Sequence, residues 1–387
     1  MRTLLLSTAS MLIALAAVSA DAASVRVQVA ARPPANLPME LTGELAAALT
    51  AGDGAAASNL SFHVRGPRGR CLSQSLPGAG AATTLAWQAP AAGKYEITVE
   101  KAGLPRAMDA SGEGEPIAKE TDGAVRIKNG ALSTAHIPAV GGGLPVEVAV
   151  AGVKTPLKFE FADRLYHPDV GQFFPASNPK PAVRLVANGP LFATVEVSGG
   201  YYRLEAGQWV QHIAKPLARY RFTYYRDSPL VRVDTTVTQE GAFAWKELHV
   251  LELRPAAGLA PSRADADLTS VEQTPLLAPK SWAGGKPTDE GMVTGATGSK
   301  TFDRWAAIYF DNGVMALLNP RGAGPQARRA RLYDGKDLLY LCGPWVEFAG
   351  PAAEFGAWLY FGPRNTPRQS LDEIAGQMDQ RAPSRVE

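Results

Sequence analysis

The chain has 387 residues, of which 46% are hydrophobic and 20% charged, and its 39 basic and 37 acidic residues leave a formal net charge of +2. This near-neutral balance argues against a protein that binds nucleic acid or acidic membranes through a basic surplus, and the apolar content is too high for a disordered chain. The abundance of glycine (38 residues) and proline (30 residues) predicts many short elements joined by turns, which favours β structure.

The first 23 residues have the pattern of an export signal. Arg2 supplies a positive charge, the run from Leu4 to Val18 is apolar, and small-x-small cleavage sequences end at Ala20 and Ala22. The apolar run is shorter than the ~20 residues that a membrane-spanning helix needs. We therefore expect cleavage, a periplasmic or secreted location, and no membrane insertion afterwards, with an uncleaved anchor as the alternative.

The two cysteines, Cys71 and Cys342, allow one disulfide in an exported protein, and two buried free thiols are the alternative. Neither has a His or Cys neighbour at the spacing of a metal site. The usual metal-binding and nucleotide-binding motifs do not occur in the chain. The sequence therefore predicts no metal and no cofactor.

Residues 24–102 predict a small all-β domain. Alternating polar and apolar residues at 25–29, 59–64, 84–87 and 94–100 are typical of half-buried strands separated by turns. The entry Gly93-Lys94-Tyr95 into the last of them resembles the late strands of bacterial immunoglobulin-like modules. Residues 103–122, rich in Gly, Pro, Ser and acidic residues, predict a linker.

Residues 123–365 predict one large β-sandwich without a long amphipathic helix. It is too large for an immunoglobulin fold, which takes about 100 residues. The clearest strands are 146–150, 157–161, 182–187, 193–197, 217–225, 230–238, 246–253, 305–310, 314–318 and 357–361. In the C-terminal segment 366–387, the helical period of Leu371, Ile374, Ala375 and Met378 predicts a short helix that docks at a sheet edge.

One hairpin allows a detailed prediction. The strands at 219–225 and 230–237 flank a four-residue turn, so Thr223 should lie opposite Arg232 and Arg221 opposite Asp234. The alternation assigns Val231, Val233, Thr235 and Val237 to the core. The other face then carries Arg219, Arg221, Tyr225, Arg232 and Asp234.

This polar face has two interpretations. It could be a solvated surface with cross-strand ion pairs, each contributing less than ~1 kcal/mol. It could equally be a groove in which guanidinium groups and Tyr225 bind carboxylated or hydroxylated sugars. The sequence leaves both open.

Two stretches of the sequence resemble a known family. The run from Leu217 to Asp234 resembles the sheet hairpin of the supersandwich (galactose-mutarotase-like) domains of carbohydrate-active enzymes, and 127–132 (Ile-Lys-Asn-Gly-Ala-Leu) looks like their first strand. Within that group the chain is most similar to exo-acting rhamnogalacturonan lyase-like proteins, over residues 124–363. The resemblance implies a polysaccharide or oligosaccharide substrate. Those lyases usually carry a helical barrel as well, and this chain has no room for one.

Tyr166 and His167 are the first catalytic candidates. They lie in a polar, aromatic segment, 163–169, which we predict to be a loop after the strand at 157–161. In β-elimination, an arginine neutralises the uronate carboxylate and Tyr or His removes the adjacent carbon-bound proton. Arg221 is the predicted arginine. The alternative is an ordinary loop histidine with local hydrogen bonds.

Glu247 and His249 are the second candidates, because residues two apart on a strand share a face, here together with Trp245. A carboxylate–imidazole pair suits acid–base chemistry on a sugar. Leu251 and Leu253 would continue the same face, so His249 could equally lie at the rim of the core. Trp282, in the long Gly- and Pro-rich segment 255–301, is a candidate for stacking on a sugar ring.

The sequence thus predicts an exported protein that acts on a polysaccharide, most plausibly an acidic one, by β-elimination. The alternatives are a glycan-binding protein without catalysis, a glycoside hydrolase or epimerase-type enzyme on the same fold, and a structural envelope protein. The sequence does not indicate an oligomeric state.

Overall fold

A computed structural model describes residues 5–6, 11–14, 23–29, 33–41, 60–77, 83–101, 115–256, 261–268, 298–322, 331–335, 338–343 and 345–379. The described residues fold almost entirely into antiparallel strands, with one α-helix near the C-terminus. No helix among them is both long enough and apolar enough to cross a membrane.

The N-terminal unit contains short strands. They are β1 (Leu5–Leu6), β2 (Met11–Ala14), β3 (Ala23–Val29), β4 (Met39–Leu41), β5 (Leu60–Gly66), β6 (Gly69–Cys71), β7 (Ser73–Pro77), β8 (Thr83–Trp87) and β9 (Gly93–Lys101). They form two sheets, in the orders β1-β2-β3-β9-β5-β6 and β4-β8-β7. Trp87 from one sheet and Tyr95 from the other are fully buried between them, with ring centroids 6.4 Å apart. This packing of two sheets confirms the predicted immunoglobulin-like sandwich.

The large unit follows. Its strands are β10 (Ala118–Thr121), β11 (Ala124–Lys128), β12 (Leu132–His136), β13 (Glu147–Val150), β14 (Leu157–Phe161), β15 (Arg164–His167), β16 (Gly171–Phe173), β17 (Ala182–Asn188), β18 (Phe192–Gly200), β19 (Tyr202–Glu205), β20 (Gln208–Gln211), β21 (Leu217–Tyr225), β22 (Leu230–Thr238), β23 (Trp245–His249), β24 (Leu253–Pro255), β25 (Pro261–Leu268), β26 (Gly298–Phe310), β27 (Gly313–Gly322), β28 (Arg331–Gly335), β29 (Leu338–Cys342), β30 (Trp345–Phe348) and β31 (Ala352–Gly362). Helix α1 spans Arg368–Asp379.

These strands form a large multi-sheet sandwich. The longest sheet runs in the order β10-β11-β12-β13-β14-β24-β29-β28-β26-β27-β31-β22-β21-β18-β17, with β25 beside β26. A small sheet, β16-β15-β23-β30, and a separate hairpin, β19-β20, complete the unit. The first strand, β10, begins inside the segment predicted as a linker.

The hairpin β21–β22 has the predicted register. Thr223 lies opposite Arg232 and Arg221 opposite Asp234. The predicted core side of β22 is buried as well, because Val231, Val233, Thr235 and Val237 are at most 2% exposed. The period-two pattern therefore identified both the register and the inward face.

The outer face of the long sheet is partly covered. Helix α1 packs the buried Leu371, Ala375 and Met378 against β26 and β27, in the middle of the sheet. The predicted docking at a sheet edge is therefore wrong, because the apolar side chains of β26 and β27 that the helix covers project from a face of the sheet. Next to the helix, the N-terminal unit covers the sheet with Leu37 and Ala86.

Gln74 joins the two units. Its side-chain oxygen accepts hydrogen bonds from the backbone N–H groups of Leu191 and Phe192, both at 3.0 Å. Its side-chain nitrogen donates to the carbonyl oxygen of Phe192 at 3.1 Å. Because Gln74 is only 3% exposed, these three bonds satisfy a buried amide and tie the small sandwich to β18.

Candidate functional site

A polar cluster lies where β15 and β23 pair. Arg164 is directly opposite His249, and Tyr166 is opposite Glu247. Opposed residues in an antiparallel pair share a face, so these four side chains lie on one side of the small sheet. Leu165, between them, points to the other side and is fully buried in the core. The segment 164–167, predicted as a loop, is therefore a strand, and its pairing with β23 brings Tyr166 of the first predicted pair beside Glu247 of the second.

His249 lies between two carboxylates. Its Nδ1 is 2.6 Å from Oε2 of Glu252, and its Nε2 is 3.2 Å from Oε2 of Glu247. The side chains of His249 and Glu252 are 0% exposed, whereas that of Glu247 is 28% exposed. The imidazole therefore connects a buried carboxylate with one that reaches solvent.

The two contacts restrict where protons can lie. An ionised carboxylate only accepts hydrogen bonds, so Nδ1 of His249 donates to Glu252. On the other side, Nε2 lies 3.2 Å from Oε2 of Glu247 and 3.5 Å from Nη2 of Arg164, so the tautomer of the ring decides which of the two it pairs with.

Two arginines hold Glu252 in its ionised form. Nη1 of Arg164 donates to both oxygens of Glu252, at 2.8 and 2.6 Å, and Nε of Arg254 donates to Oε1 at 2.6 Å. Burial alone would raise the pKa of Glu252, but the hydrogen bond from His249 and the charges of Arg164 and Arg254 outweigh it and hold that pKa below its usual range. Arg164, Glu247, His249, Glu252 and Arg254 are called the polar cluster below.

Glu247 is the accessible carboxylate of the polar cluster. Its hydrogen bond with His249 lowers its pKa against the effect of partial burial, and the charges of His249 and Arg164 act in the same direction. Glu247 is therefore a carboxylate at neutral pH, and its cross-strand neighbour is the half-buried Tyr166. A carboxylate and a phenol at the open end of a buried network can accept and donate protons.

A strained turn brings Glu252 under His249. Leu251 has φ +56°, in the left-handed region that a leucine rarely adopts, at a typical cost of ~1–3 kcal/mol. The fully buried Asp163 holds the turn, because its carboxylate accepts the N–H groups of Leu251 at 2.8 Å and Glu252 at 2.7 Å. Tyr220 donates to the same carboxylate at 2.8 Å. Burial raises the pKa of Asp163 to about 7, although these three hydrogen bonds favour its ionised form.

A metal ion fits this arrangement poorly. His249, Glu252 and Cys342 offer buried ligand atoms that all lie within 4.8 Å of one another. Both oxygens of Glu252 already accept hydrogen bonds from guanidinium groups, and the positive charges of Arg164 and Arg254 oppose a further cation. Cys342 is a free thiol whose pKa burial raises well above its usual value, which disfavours a thiolate ligand.

The fold is shared with solved structures. No protein-family model matches the chain, and no curated protein sequence matches it. The chain is similar to a protein of glycosyl hydrolase family 38 from Enterococcus faecalis, with a TM-score of 0.52 and 12% identity over 96% of this chain and 45% of that one. An alpha-mannosidase from Enterococcus faecalis V583 has a TM-score of 0.51 and 12% identity, over 96% of this chain and 44% of that one. A galactose mutarotase related enzyme from Lactobacillus acidophilus has a TM-score of 0.32 and 11% identity, over 62% of this chain and 98% of that one.

This likeness concerns the fold. The chain spans less than half the length of the two Enterococcus proteins, and its identity to them is low. The match over almost the whole chain supports the predicted supersandwich-type architecture. The resemblance to rhamnogalacturonan lyase-like proteins stays a prediction.

The arginines of the hairpin β21–β22 lie elsewhere. Tyr220 points into the core, where it reaches Asp163, so its neighbours Arg219 and Arg221 point to the opposite side of the sheet. The structure therefore does not bring Arg221 together with Tyr166 and His167. The predicted combination of this arginine with those two residues is wrong, because the core separates them.

The outer face of the hairpin is an ion-paired surface. Arg221 contacts Glu196 on β18 at 3.0 Å, and Arg232 contacts Asp234 at 2.9 Å, with the arginine side chains 56% and 37% exposed. Tyr225 lies on this face as predicted, but it is only 2% exposed, and its ring stacks on Trp358 at 5.8 Å. Of the two interpretations, the described contacts match the solvated ion pairs.

His167 and Trp245 lie outside the polar cluster. His167 is one residue beyond Tyr166 and points to the opposite face, where its ring lies 5.1 Å from Phe243. A register irregularity between Trp245 and Leu248 turns Trp245 to that face as well, against Phe243 and Phe173. Trp245 therefore does not share a face with Glu247 and His249. Trp282 lies outside the described residues.

The sequence interpretation missed Asp163, Arg164 and Arg254. A usable signal was present in the charged residues that interrupt an otherwise apolar segment, Glu247, His249 and Glu252. Buried charges need partners, so such a pattern predicts matching arginines on a neighbouring strand. The sequence alone did not show which strand that was.

Proposed function

We propose that the protein is a carbohydrate-active enzyme in which the polar cluster performs acid–base catalysis. The observation that supports this most directly is the 3.2 Å contact between Nε2 of His249 and the carboxylate of Glu247, at the boundary between a buried network and solvent. The predicted resemblance to supersandwich enzymes and the shared fold with a family 38 glycosyl hydrolase support the choice of a sugar as substrate.

Each residue of the cluster has a proposed role. Glu247 accepts a proton from the substrate, and its contact with Nε2 of His249 fixes the orientation of the carboxylate. Glu252 fixes the orientation of His249 through Nδ1, as the buried carboxylate of a catalytic triad does for its imidazole. Tyr166, on the strand opposite Glu247, is the second proton-transfer group.

Two reactions use such a set. In sugar isomerisation of the epimerase type, Glu247 takes the proton of one hydroxyl and Tyr166 protonates the oxygen that leaves carbon. In β-elimination on a uronate, Glu247 removes the carbon-bound proton next to the carboxylate, the bond to the glycosidic oxygen breaks, a carbon–carbon double bond forms and Tyr166 protonates the leaving oxygen. In the second reaction we assign the uronate carboxylate to Arg254, the partly exposed arginine of the polar cluster, whose side chain is 21% exposed.

Hydrolysis by two facing carboxylates has less support. That mechanism needs both groups on either side of the glycosidic bond. Glu252 is 0% exposed and paired with two arginines, so only Glu247 of this pair can reach a sugar.

The test uses three readouts on one panel of free sugars and of neutral and uronate polysaccharides. Elimination creates a conjugated enoate that absorbs in the ultraviolet, hydrolysis creates reducing ends without it, and isomerisation changes the optical rotation. Glu247→Gln should reduce the observed activity by about 100-fold or more, the usual cost of losing an acid–base group. Glu196→Gln, which removes a carboxylate from the opposite sheet face, is the matched control and should keep the wild-type rate.

Two outcomes would contradict the proposal. One is the absence of all three signals across the panel, which would leave a binding protein without catalysis, detectable as affinity without turnover. The other is a Glu247→Gln protein that retains activity, which would place the chemistry elsewhere.

Export is part of the proposed function. An enzyme that acts on an external polysaccharide meets its substrate outside the cytoplasm, and the apolar run from Leu4 to Val18 fits a leader whose cleavage would remove β1 and β2 from the edge of their sheet. Sequencing the N-terminus of the mature protein from periplasm or medium tests this. A protein that stays in the cytoplasm with its first residues intact would contradict it.

A further inference from the structure

The hairpin β19–β20 exposes an unusual amount of apolar surface. Leu204 and Trp209 lie directly opposite each other and are 59% and 47% exposed. Ile213, just after the hairpin, is 89% exposed, and Leu217 is 37% exposed. The other large apolar side chains that are exposed among the described residues are only Val140 and Val186. Most of the exposed apolar surface is therefore concentrated in one short segment.

The hairpin β19–β20 is attached to the end of β16 and packs against it. Phe174 and Tyr202 exchange two backbone hydrogen bonds, at 2.8 and 3.0 Å, which attach β19 to the end of β16. The guanidinium of Arg203 lies 4.7 Å from the ring centroid of the buried Phe173, and it pairs with Glu205. The charged side chains thus occupy the inner face of the hairpin, and Leu204 and Trp209 are left on the outer face.

The outer face has the chemistry of a flat, uncharged surface. Tyr202 and Gln211 lie opposite each other and share the face with Leu204 and Trp209. The face therefore carries an indole, an aliphatic side chain, a phenol and an amide, with no ionised group. These four residues are called the hairpin platform.

We propose that the hairpin platform binds a chain of sugar residues, with one sugar ring stacked on Trp209. The apolar C–H face of a sugar fits an indole plane, and the hydroxyl of Tyr202 can hydrogen-bond its hydroxyl groups, whereas the amide nitrogen of Gln211 already donates to the carbonyl oxygen of Pro216 at 3.1 Å. Even with Ile213 and Leu217, the segment offers four exposed apolar side chains, against the roughly 20–30 residues a side of a stable protein–protein interface, which argues against a second protein or a second copy.

This inference deepens the proposed function and rests on it for the class of ligand. β19 is attached to β16, and β16 pairs with β15, the strand that carries Tyr166. Arg203 packs on Phe173, which lies opposite Leu165 and thus on the face of the small sheet away from Tyr166, so a polymer bound at the hairpin platform has to pass the edge strand β16 to reach the polar cluster. The substrate that this predicts is a polysaccharide with no requirement for charge at the platform, rather than a free monosaccharide.

The test measures binding separately from turnover. Affinity electrophoresis of the full chain in gels that contain soluble neutral or acidic polysaccharides should show at least about a tenfold weaker retention constant for Trp209→Ala, whereas Trp209→Phe should stay within about threefold of wild type. Val186→Ala, which removes an equally exposed apolar side chain from β17 of the long sheet, should bind as wild type does.

The outcomes separate the two proposals. Binding that depends on Trp209, in a wild-type protein that shows no turnover, would leave the hairpin platform standing and reject only the catalytic proposal. Unchanged retention of Trp209→Ala, or a wild-type protein that binds no polysaccharide in the panel, would overturn the platform. Self-association in sedimentation experiments that Trp209→Ala abolishes would also overturn it, since the surface would then bind a second copy.

Discussion

His136 should make the protein less stable in acid. It ends strand β12, is 0% exposed and packs its ring 4.9 Å from that of Phe222. Nδ1 lies 3.0 Å from the carbonyl oxygen of Gly143, which only accepts, so Nδ1 carries the hydrogen. Nε2 therefore accepts the hydroxyl of Tyr224, at 2.8 Å. Protonation of Nε2 would remove the lone pair that accepts the Tyr224 hydroxyl and would place a charge in the core.

The magnitude follows from the pKa. Burial lowers the pKa of His136 from its ordinary 6.5 to about 4, and the hydrogen bond to Gly143 offsets only part of this. Between these values the unfolded chain binds more protons than the folded one, so the free energy of unfolding falls as the pH falls from 6.5 to 4. Above 6.5 the loss is absent, and below 4 it is complete. The full difference corresponds to about 3 kcal/mol.

The assay is urea denaturation at a series of pH values from 7.5 to about 4. His136→Asn keeps a donor for Gly143 but cannot titrate, so it should be less stable than wild type at neutral pH and lose less on acidification. The gap between the two proteins should shrink by about 3 kcal/mol across the range. Asp163, whose pKa of about 7 acts in the opposite direction, is present in both and cancels from the difference.

Val197→Ala is the matched control, because it truncates a core side chain that is 2% exposed and adds no titrating group. Its gap from wild type should stay constant with pH. A constant gap for His136→Asn as well would refute the reasoning, since the buried imidazole would then not be the group that titrates.

Three further predictions concern local structure. Because Leu251 has φ +56°, Leu251→Gly should be more stable than Leu251→Ala by about 1 kcal/mol in urea denaturation, the reverse of the usual order. A higher stability of the Leu251→Ala protein would show that the turn is not left-handed in solution. Glu252→Gln should lower the free energy of unfolding by about 3 kcal/mol, because it leaves Arg164 and Arg254 without a full counter-charge. Glu247→Gln, at a more exposed carboxylate, should lower it by less than half of that, and equal losses would show that the burial of the carboxylate does not set the cost. Gly142→Ala should destabilise the protein by about 2 kcal/mol more than Gly152→Ala in the same assay. Both glycines have positive φ, but a Cβ at 142 would lie 2.6 Å from the carbonyl oxygen of Pro175, whereas one at 152 would meet nothing within 4 Å. Similar losses would be inconsistent with this close approach.

Much of the fold could be predicted because it depends on local patterns. The strands at 157–161, 217–225 and 230–238 were predicted at their observed bounds, since each alternates regularly and ends at a turn. The register of β21 and β22 followed from the four-residue turn between them. Helix α1 was found from its period, but its position was not, because nothing in its own residues specifies the strands it covers.

The small sheet shows where the local pattern fails. Arg164 to His167 contains too many polar residues to predict a buried strand, and only the pairing with β23 explains it, because it places Arg164 beside Glu252, whose carboxylate neutralises the guanidinium. In β23 the irregularity before Leu248 and the left-handed Leu251 both break the period of two. Trp245 and Glu252 are therefore the residues whose directions the sequence could not predict.

The strained turn is the clearest reason to regard the polar cluster as functional rather than structural. An arginine, a carboxylate and a histidine buried together stabilise a fold no better than apolar side chains of similar size, because desolvation offsets their attraction. Here the chain also accepts a left-handed leucine and buries Asp163 to hold it. Features that are costly for stability persist where they position groups for chemistry, and what this turn positions is Glu252 beneath His249.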